Sequence, residues 1–322
     1  METPTTITLP TGQKMPILGF GTWHAKEEIL EKALDDALEA GYRHIDTAPV
    51  YENEMIIGKI LKKWIDSGRI KREELFIVTK VPPTGNRPGG VEKWIKKSLE
   101  ALQLNYLDLY LIHTPFAFEE IGNELHPVDE NGNIKIDLNT NHIAIWAEME
   151  QQVLAGRTKA IGLSNFNIDQ INRILSQAQQ PISNLQIELH AYFQQSALVR
   201  FCNDKNIIVT AYSPLGSRGF VNLLGKESMI PNIMENDVVV KIAKKHGKSP
   251  AQVALRFINQ KGIVAIPKST NLTRIKENID IFNFHLDSED MKALAALDQG
   301  SNARICDFSF FKGIKNHPEY PF

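Results

Sequence analysis

A short apolar run followed by an amphipathic helix recurs eight times along this chain, with no linker and no break in composition between units. Apolar runs of this kind belong to strands buried on both faces, and a helix after each one must cover the sheet that its strand joins. The strand-like runs lie at 18–23, 44–46, 75–80, 107–113, 159–163, 185–188, 207–211 and 262–266. Helical spacing fills the intervals. Ile29, Leu30, Ala33, Leu34, Ala37 and Leu38, for example, predict a helix from Lys26 to Ala40. Ser249, Pro250 and Gln252 have the order of a capped helix start, predicting a helix to about Gln260. Residues 6–17 predict a hairpin turning at Thr11-Gly12. Two long stretches, 116–141 and the glycine-rich 215–225, read as loops, and 299–322 shows no regular period.

Eight such units close most naturally as a (β/α)8 TIM barrel, one domain over 1–322 with an N-terminal hairpin and a long C-terminal loop. A doubly wound sheet is the alternative. The first glycine-rich strand offers only Gly19-Phe20-Gly21, without the third glycine of a dinucleotide fingerprint.

The strands share a second property. Most end in a polar residue: Asp46, Lys80, His113, Ser164-Asn165, Gln186, Tyr212-Ser213 and Lys268-Ser269. One such residue is easily a strand end meeting water, but a repeated pattern points to a common site at the C-terminal face of a barrel. Tyr51 stands just beyond Asp46. A phenol, with a pKa of about 10, is a poor acid at neutral pH. An adjacent lysine ammonium would favour the phenolate and lower that pKa, an aspartate would hold the lysine, and a histidine can donate to a carbonyl oxygen. Such a group protonates an oxygen, yet no side chain here supplies a hydride, and a nicotinamide would fill that gap.

Other classes fit poorly. Net charge is −2, and neither a basic stripe for nucleic acid nor a polybasic tail for membranes is present. No apolar run approaches the roughly 20 residues of a membrane span. Cys202 and Cys306 form neither a disulfide scaffold nor a metal-spacing motif, and the first residues carry no signal pattern. A cytoplasmic, monomeric enzyme acting on a small molecule is the expectation.

Five motifs in order carry a family resemblance: Gly-Phe-Gly-Thr-Trp at 19–23, His-Ile-Asp-Thr-Ala-x-x-Tyr-x-Asn-Glu at 44–54, Leu-x-Leu-Tyr-Leu-Ile-His-x-Pro at 107–115, Ile-Gly-Leu-Ser-Asn-Phe at 161–166, and Ile-Pro-Lys-Ser-x-x-x-x-Arg-Ile-x-Glu-Asn at 266–278. From Met15 to Phe322 the chain resembles the aldo-keto reductases. The resemblance implies a barrel binding NADP(H) in extended form and reducing aldehydes or ketones. It implies Asp46, Tyr51, Lys80 and His113 as the catalytic tetrad, with Tyr51 as general acid. Gly21, Thr22 and Trp23 would lie along the cofactor. Ser164, Asn165 and Gln186 match the nicotinamide-amide contacts, Tyr212 the stacking ring, and Ser213, Leu215 and Ser217 the pyrophosphate loop. Lys268, Ser269 and Arg274 match the 2′-phosphate contacts, and Glu277 and Asn278 the adenine contacts. Lys268 and Arg274 flank an expected helix N-terminus, which independently favours a phosphate dianion, although solvated surface charge is the plainer reading.

Trp23, Val50, His113, Thr114, Phe116, Phe118 and the Phe-rich tail would wall a substrate pocket. Cys306 aligns with a pocket cysteine of some members, and is equally readable as an inert buried thiol. Thr114 stands where aldose-reductase-like members carry tryptophan, implying a more open or more polar pocket, and Pro49 in the tetrad turn is unusual. Residues 184–195 and the ending His-Pro-Glu-Tyr-Pro-Phe look like insect members, which include 3-dehydroecdysone reductases and general aldehyde reductases. These suggest a 3-keto ecdysteroid or an isoprenoid or lipid aldehyde as substrate. A non-catalytic NADP(H)-binding barrel, like channel subunits or lens crystallins, and an isomerase on the same barrel are the competing functions.

Overall fold

The computed structural model describes residues 5–23, 25 and 27–322, so the expected helix start at Lys26 and the first four residues of the chain lie outside the described residues. Eight strands form one parallel sheet: β1 (Phe20–Gly21), β2 (His44–Asp46), β3 (Phe76–Val81), β4 (Leu109–Ile112), β5 (Ile161–Ser164), β6 (Asn184–Glu188), β7 (Ile208–Tyr212) and β8 (Val264–Ala265). Their order in the sheet is their order in the chain. At the seam the Gly19 N–H donates to the Ala265 carbonyl at 2.8 Å and the Gly21 N–H to the Pro267 carbonyl at 3.1 Å. The sheet is therefore closed, and the protein is a (β/α)8 barrel. Glycine is required at position 21, because a Cβ there would sit 2.9 Å from the Ile266 carbonyl oxygen.

Helices α1 (Glu27–Glu39), α2 (Glu54–Asp66), α3 (Gly90–Leu102), α4 (His142–Leu154), α5 (Ile168–Leu175) and α6 (Ser196–Asp204) follow the first six strands. Then come a short α7 (Arg218–Leu223), α8 (Asp237–His246), α9 (Pro250–Gln260), α10 (Leu272–Ile279) and α11 (Ser288–Ala295). Ser249 closes a capping box on α9: its Oγ accepts from the Gln252 N–H at 3.3 Å, and Gln252 Oε1 accepts from the Ser249 N–H at 2.9 Å.

The two-residue period of a strand layers the barrel interior. On β3, Phe76, Val78 and Lys80 share a face, and along β4 so do Leu109, Leu111 and the following His113. The lower members pack with Val264 against Leu9, Met15 and Ile17 of the N-terminal hairpin (Thr6–Thr8 paired with Lys14–Pro16). This plug closes the floor. Apolar layers give way to Lys80 and His113 only at the upper end, so chemistry is confined to the C-terminal face.

Two loops hold more structure than their sequences predict. The 116–141 stretch contains a small hairpin, Ala117–Phe118 with Ile136–Asp137, held by Arg87, whose Nη2 donates to the Phe118 carbonyl and to Asp137 Oδ2, both at 2.8 Å. The 215–225 stretch contains α7, because Val221 packs with Ile230 and Ile305 while Phe220 and Leu224 lie against them. Among the described residues no helix is long and apolar enough to cross a membrane, and no group of three or more His, Cys, Asp or Glu could hold a metal ion.

Candidate active site

Asp46 ends β2, Lys80 lies near the end of β3 and His113 just follows β4, so strand geometry alone brings these three side chains to one end of the barrel. Tyr51 arrives by another route. Pro49 sets the backbone for a 3-10 turn, Pro49–Tyr51, that closes with the Tyr51 N–H on the Ala48 carbonyl at 3.0 Å. Lys80 Nζ, wholly buried, then donates to Asp46 Oδ1 at 2.6 Å and to the Thr47 carbonyl at 2.9 Å, and stands 3.4 Å from the Tyr51 hydroxyl. The Tyr51 and His113 rings meet edge-on, 5.8 Å between centroids.

The electrostatics differ from the expectation in one respect. Burial, followed by the Asp46 charge, pushes the Tyr51 phenol well above its usual pKa. The neighbouring lysine does not pull it down, because Lys80 is already bound to Asp46 and the pair offers the phenol little net positive charge. Burial holds the Lys80 pKa below its usual value, opposed by Asp46. Burial and the Lys80 charge hold His113 well below the usual histidine range, so its ring is neutral. The cluster thus presents a protonated phenol beside a neutral imidazole.

Ser164 and Asn165 follow on β5 and Gln186 on β6, all buried. Asn165 adopts a left-handed φ of 64° and bridges the site: its Nδ2 donates to the His113 carbonyl at 2.9 Å and its Oδ1 accepts from the Tyr212 hydroxyl at 2.8 Å. After β7, Ser213 and Ser217 are both left-handed and joined through their hydroxyls at 2.8 Å, with Leu215 half-buried between them. Lys268 and Arg274 are exposed on either side of Asn271, which caps α10, and neither has an ion-pair partner among the described residues. Ser269 Oγ accepts from the Asn271 N–H at 3.1 Å; Asn278 is buried on α10 and Glu277 is half-buried. Two free cations and a hydroxyl at a helix N-terminus suit a dianion, so the residues present fit a phosphorylated nicotinamide dinucleotide. Thr22, whose Oγ1 donates to the Asp46 carbonyl at 2.9 Å, joins Gly21 to the tetrad side.

Of the expected pocket wall, Trp23 is 39% exposed and meets Phe220 of α7 edge-on at 4.9 Å. Val50 is half-buried beside Tyr51. Thr114 is buried, with its hydroxyl turned to the Phe116 carbonyl at 3.0 Å. Phe116 and Phe118 are wholly buried in a cluster with Phe308 and Ile314, and back the wall from behind. Cys306 packs at the edge of this cluster, and burial and Glu188 push its thiol up to about 12.

Three supporting residues, Asn53, Glu54 and Asn86, are absent from the sequence reading, as is the contact that Gln186 makes with Asp46. Gln186 Nε2 donates to Asp46 Oδ2 at 2.7 Å, fixing the oxygen that Lys80 leaves free. Asn86 donates through one nitrogen to the carbonyls of Thr114 and Phe116, both at 2.8 Å, pinning the segment after His113. Asn53 Nδ2 donates to the Thr22 carbonyl at 3.0 Å. Glu54 accepts from Thr79 and Ser98 immediately behind Lys80. Asn53 and Glu54 stand in the 44–54 motif and could have been found there; Asn86 lies in a Pro/Gly loop with no such signal.

Comparison with known proteins agrees with this geometry. The sequence profile described as the Aldo/keto reductase family matches residues 17–299. "Aldo-keto reductase family 1 member A1" of Mus musculus is 42% identical over 99% of this chain and 98% of its own length. "Dihydrodiol dehydrogenase 3" of Bos taurus is 42% identical over 98% of this chain and 97% of its own. The solved structure of the aldose reductase from Schistosoma japonicum superposes with a TM-score of 0.89 at 39% identity, covering 100% of this chain and 99% of that one.

Proposed function

This chain belongs to the aldo/keto reductase family, and on that premise we propose that it reduces aldehydes and ketones to alcohols with NADPH. A reduced nicotinamide, when bound at the C-terminal face, would supply a hydride. The chain's own residues do the rest. Tyr51 gives its proton to the carbonyl oxygen as negative charge develops there. The neutral His113 ring donates a hydrogen bond that orients the same oxygen. Lys80, held by Asp46, stands with its Nζ 3.4 Å from the Tyr51 oxygen, and that contact leaves the phenol's own O–H to point at the substrate. Ser164, Asn165, Gln186 and Tyr212 would hold the ring end of the cofactor, Ser213, Leu215 and Ser217 the pyrophosphate, and Lys268, Ser269 and Arg274 the 2′-phosphate.

The observation that carries this reading is the buried Asp46–Lys80 pair set 3.4 Å from the Tyr51 hydroxyl. A substrate with an apolar body follows from the aromatic wall; a 3-keto ecdysteroid is the sharper candidate and an isoprenoid or lipid aldehyde the next. The test is NADPH oxidation over aromatic aldehydes, isoprenoid aldehydes and keto-steroids. Tyr51→Phe should lower turnover about 100- to 10,000-fold, the usual contribution of a positioned general acid, while leaving NADPH binding intact. Tight NADPH binding without turnover in the parent chain would favour the non-catalytic barrel, and absence of NADPH binding would refute the cofactor assignment.

A further inference from the structure

Strand β6 carries a second inward-facing residue, one step above Gln186. By the strand period, Glu188 shares the face of Gln186 but projects beyond the tetrad layer. Its side chain is fully buried, and three donors converge on it: His190 Nε2 on Oε1 at 2.9 Å, the Ile305 N–H on Oε1 at 2.8 Å, and the Cys306 N–H on Oε2 at 2.7 Å. Gln195 Nε2 secures the backbone of the same residue, donating to the Glu188 carbonyl at 2.6 Å. The segment so gripped has little regular structure of its own. Between Gln299 and Phe322 it contains only two 3-10 turns among the described residues, and Phe308 sits at a left-handed φ of 58° that its surroundings must hold. Two residues past the clamp, Phe308 packs edge-on against Phe116 at 5.1 Å, and Phe310 meets Phe220, which touches Trp23.

We infer that Glu188 is a positioning residue for substrate selection: its carboxylate fixes the register of the C-terminal segment and so sets the pocket wall formed by Cys306 and Phe308. Each carboxylate oxygen takes one of the two adjacent amides, an arrangement in which an amide side chain of the same length would set an N–H against one of them. His190, two residues on, holds that carboxylate through Oε1. The substrate-selecting consequence rests on the reductase reading; the clamp itself does not.

The experiment uses Glu188→Gln in the full chain, which turns an N–H toward an N–H at Ile305 or Cys306. Expected are a change of at least fivefold in KM for a bulky keto-steroid, with KM and kcat for a small aromatic aldehyde and the Kd for NADPH within twofold of the parent. Hydrogen exchange at the Ile305 and Cys306 amides, slow in the parent, should accelerate at least tenfold. If Glu188→Gln does not fold, Glu188→Asp, which reaches only one amide, and His190→Gln carry the same test. An equal loss for both substrates, or unchanged exchange at 305 and 306, overturns the inference. Faster exchange in a protein whose parent form turns over no carbonyl would leave the clamp standing and refute the reductase reading instead.

Discussion

Replacing Asp46 by asparagine tests the electrostatic core of the site, because it removes the charge that balances a wholly buried lysine. Lys80 Nζ keeps the Thr47 carbonyl and can keep an amide oxygen at position 46, but it loses its counter-charge. Two routes remain. The ammonium can stay charged without a partner, which costs about 3–5 kcal/mol for a broken buried pair. Alternatively it can lose its proton. For a lysine with an unfolded-state pKa of about 10.4, that costs at most about 4–5 kcal/mol at pH 7, at 1.36 kcal/mol per unit. The two figures agree, so a loss of about 3–5 kcal/mol is expected at pH 7. The pH dependence separates them from a simple packing defect. Burial already lowers the folded-state pKa of Lys80, and removing Asp46 lowers it further. The unfolded chain then binds a proton that the folded variant does not. The penalty is therefore greatest near neutrality and shrinks as pH rises toward about 10, by at most about 1.4 kcal/mol per unit. Urea unfolding of parent and variant at pH 7, 8 and 9, followed by circular dichroism, measures the difference. A difference under about 1 kcal/mol at pH 7, or one that does not change with pH, would refute the buried-pair account.

Lys268→Met combined with Arg274→Met should weaken NADPH binding by at least about a hundredfold, given about 1.5–3 kcal/mol for each hydrogen bond to a charged group, and leave NADH nearly unaffected. Fluorescence titration with both nucleotides checks this, and equal losses would remove the 2′-phosphate assignment. Asn86→Ala strands two buried carbonyls behind His113 and should cost about 2–4 kcal/mol in stability, with kcat falling while the Kd for NADPH holds. Acid should loosen the C-terminal segment. His317 Nδ1 accepts from the Glu319 N–H at 3.0 Å, so a proton there breaks that bond, and buried His142 Nδ1 lies between Arg173 Nη1 at 3.4 Å and Glu319 Oε2 at 3.8 Å, with burial opposing its charged form. Burial lowers both histidine pKa values, so their contribution is complete above the unfolded value of about 6.5 and is lost as pH falls toward the folded ones. Proteolysis after residue 300 should therefore accelerate between pH 6.5 and 5, and a flat rate would refute the coupling.

What could be read from the chain was whatever a strand's two-residue period makes local. Phe76, Val78 and Lys80 announce a buried face that ends in a charge, and Leu109, Leu111 and His113 repeat the message. A charge at the end of a buried face cannot be packing filler, so the strand pattern carries both the barrel and three of the four central residues. The seam between β1 and β8 follows from the same count of eight units. Capping residues such as Ser249 and Asn271 mark helix starts through bonds spanning three residues, and these are also local.

The features that escaped are those in which three bodies meet across the closed sheet. That a lysine beside a tyrosine lowers the phenol's pKa is a sound two-body expectation; it fails here because Asp46, 34 residues from Lys80, has already taken the lysine's charge. Gln186 reaches Asp46 across 140 residues, and Glu188 reaches the Cys306 amide across 118. Both contacts need the barrel to be closed before either partner has a neighbour. Helix α7 was hidden for a related reason. Gly216, Gly219 and Gly225, in and around it, read as a loop because the residues that make its apolar side worth burying, Ile230 and Ile305, come from other parts of the chain. The sequence pattern therefore fixes which side chains reach the C-terminal face, while their ionisation, and the loops that would select a substrate, depend on contacts formed only after closure. The same division predicts where relatives of this barrel can diverge: substitutions in the 116–141, 215–225 and 299–322 segments can remodel the pocket without disturbing the strand pattern that delivers Asp46, Lys80 and His113.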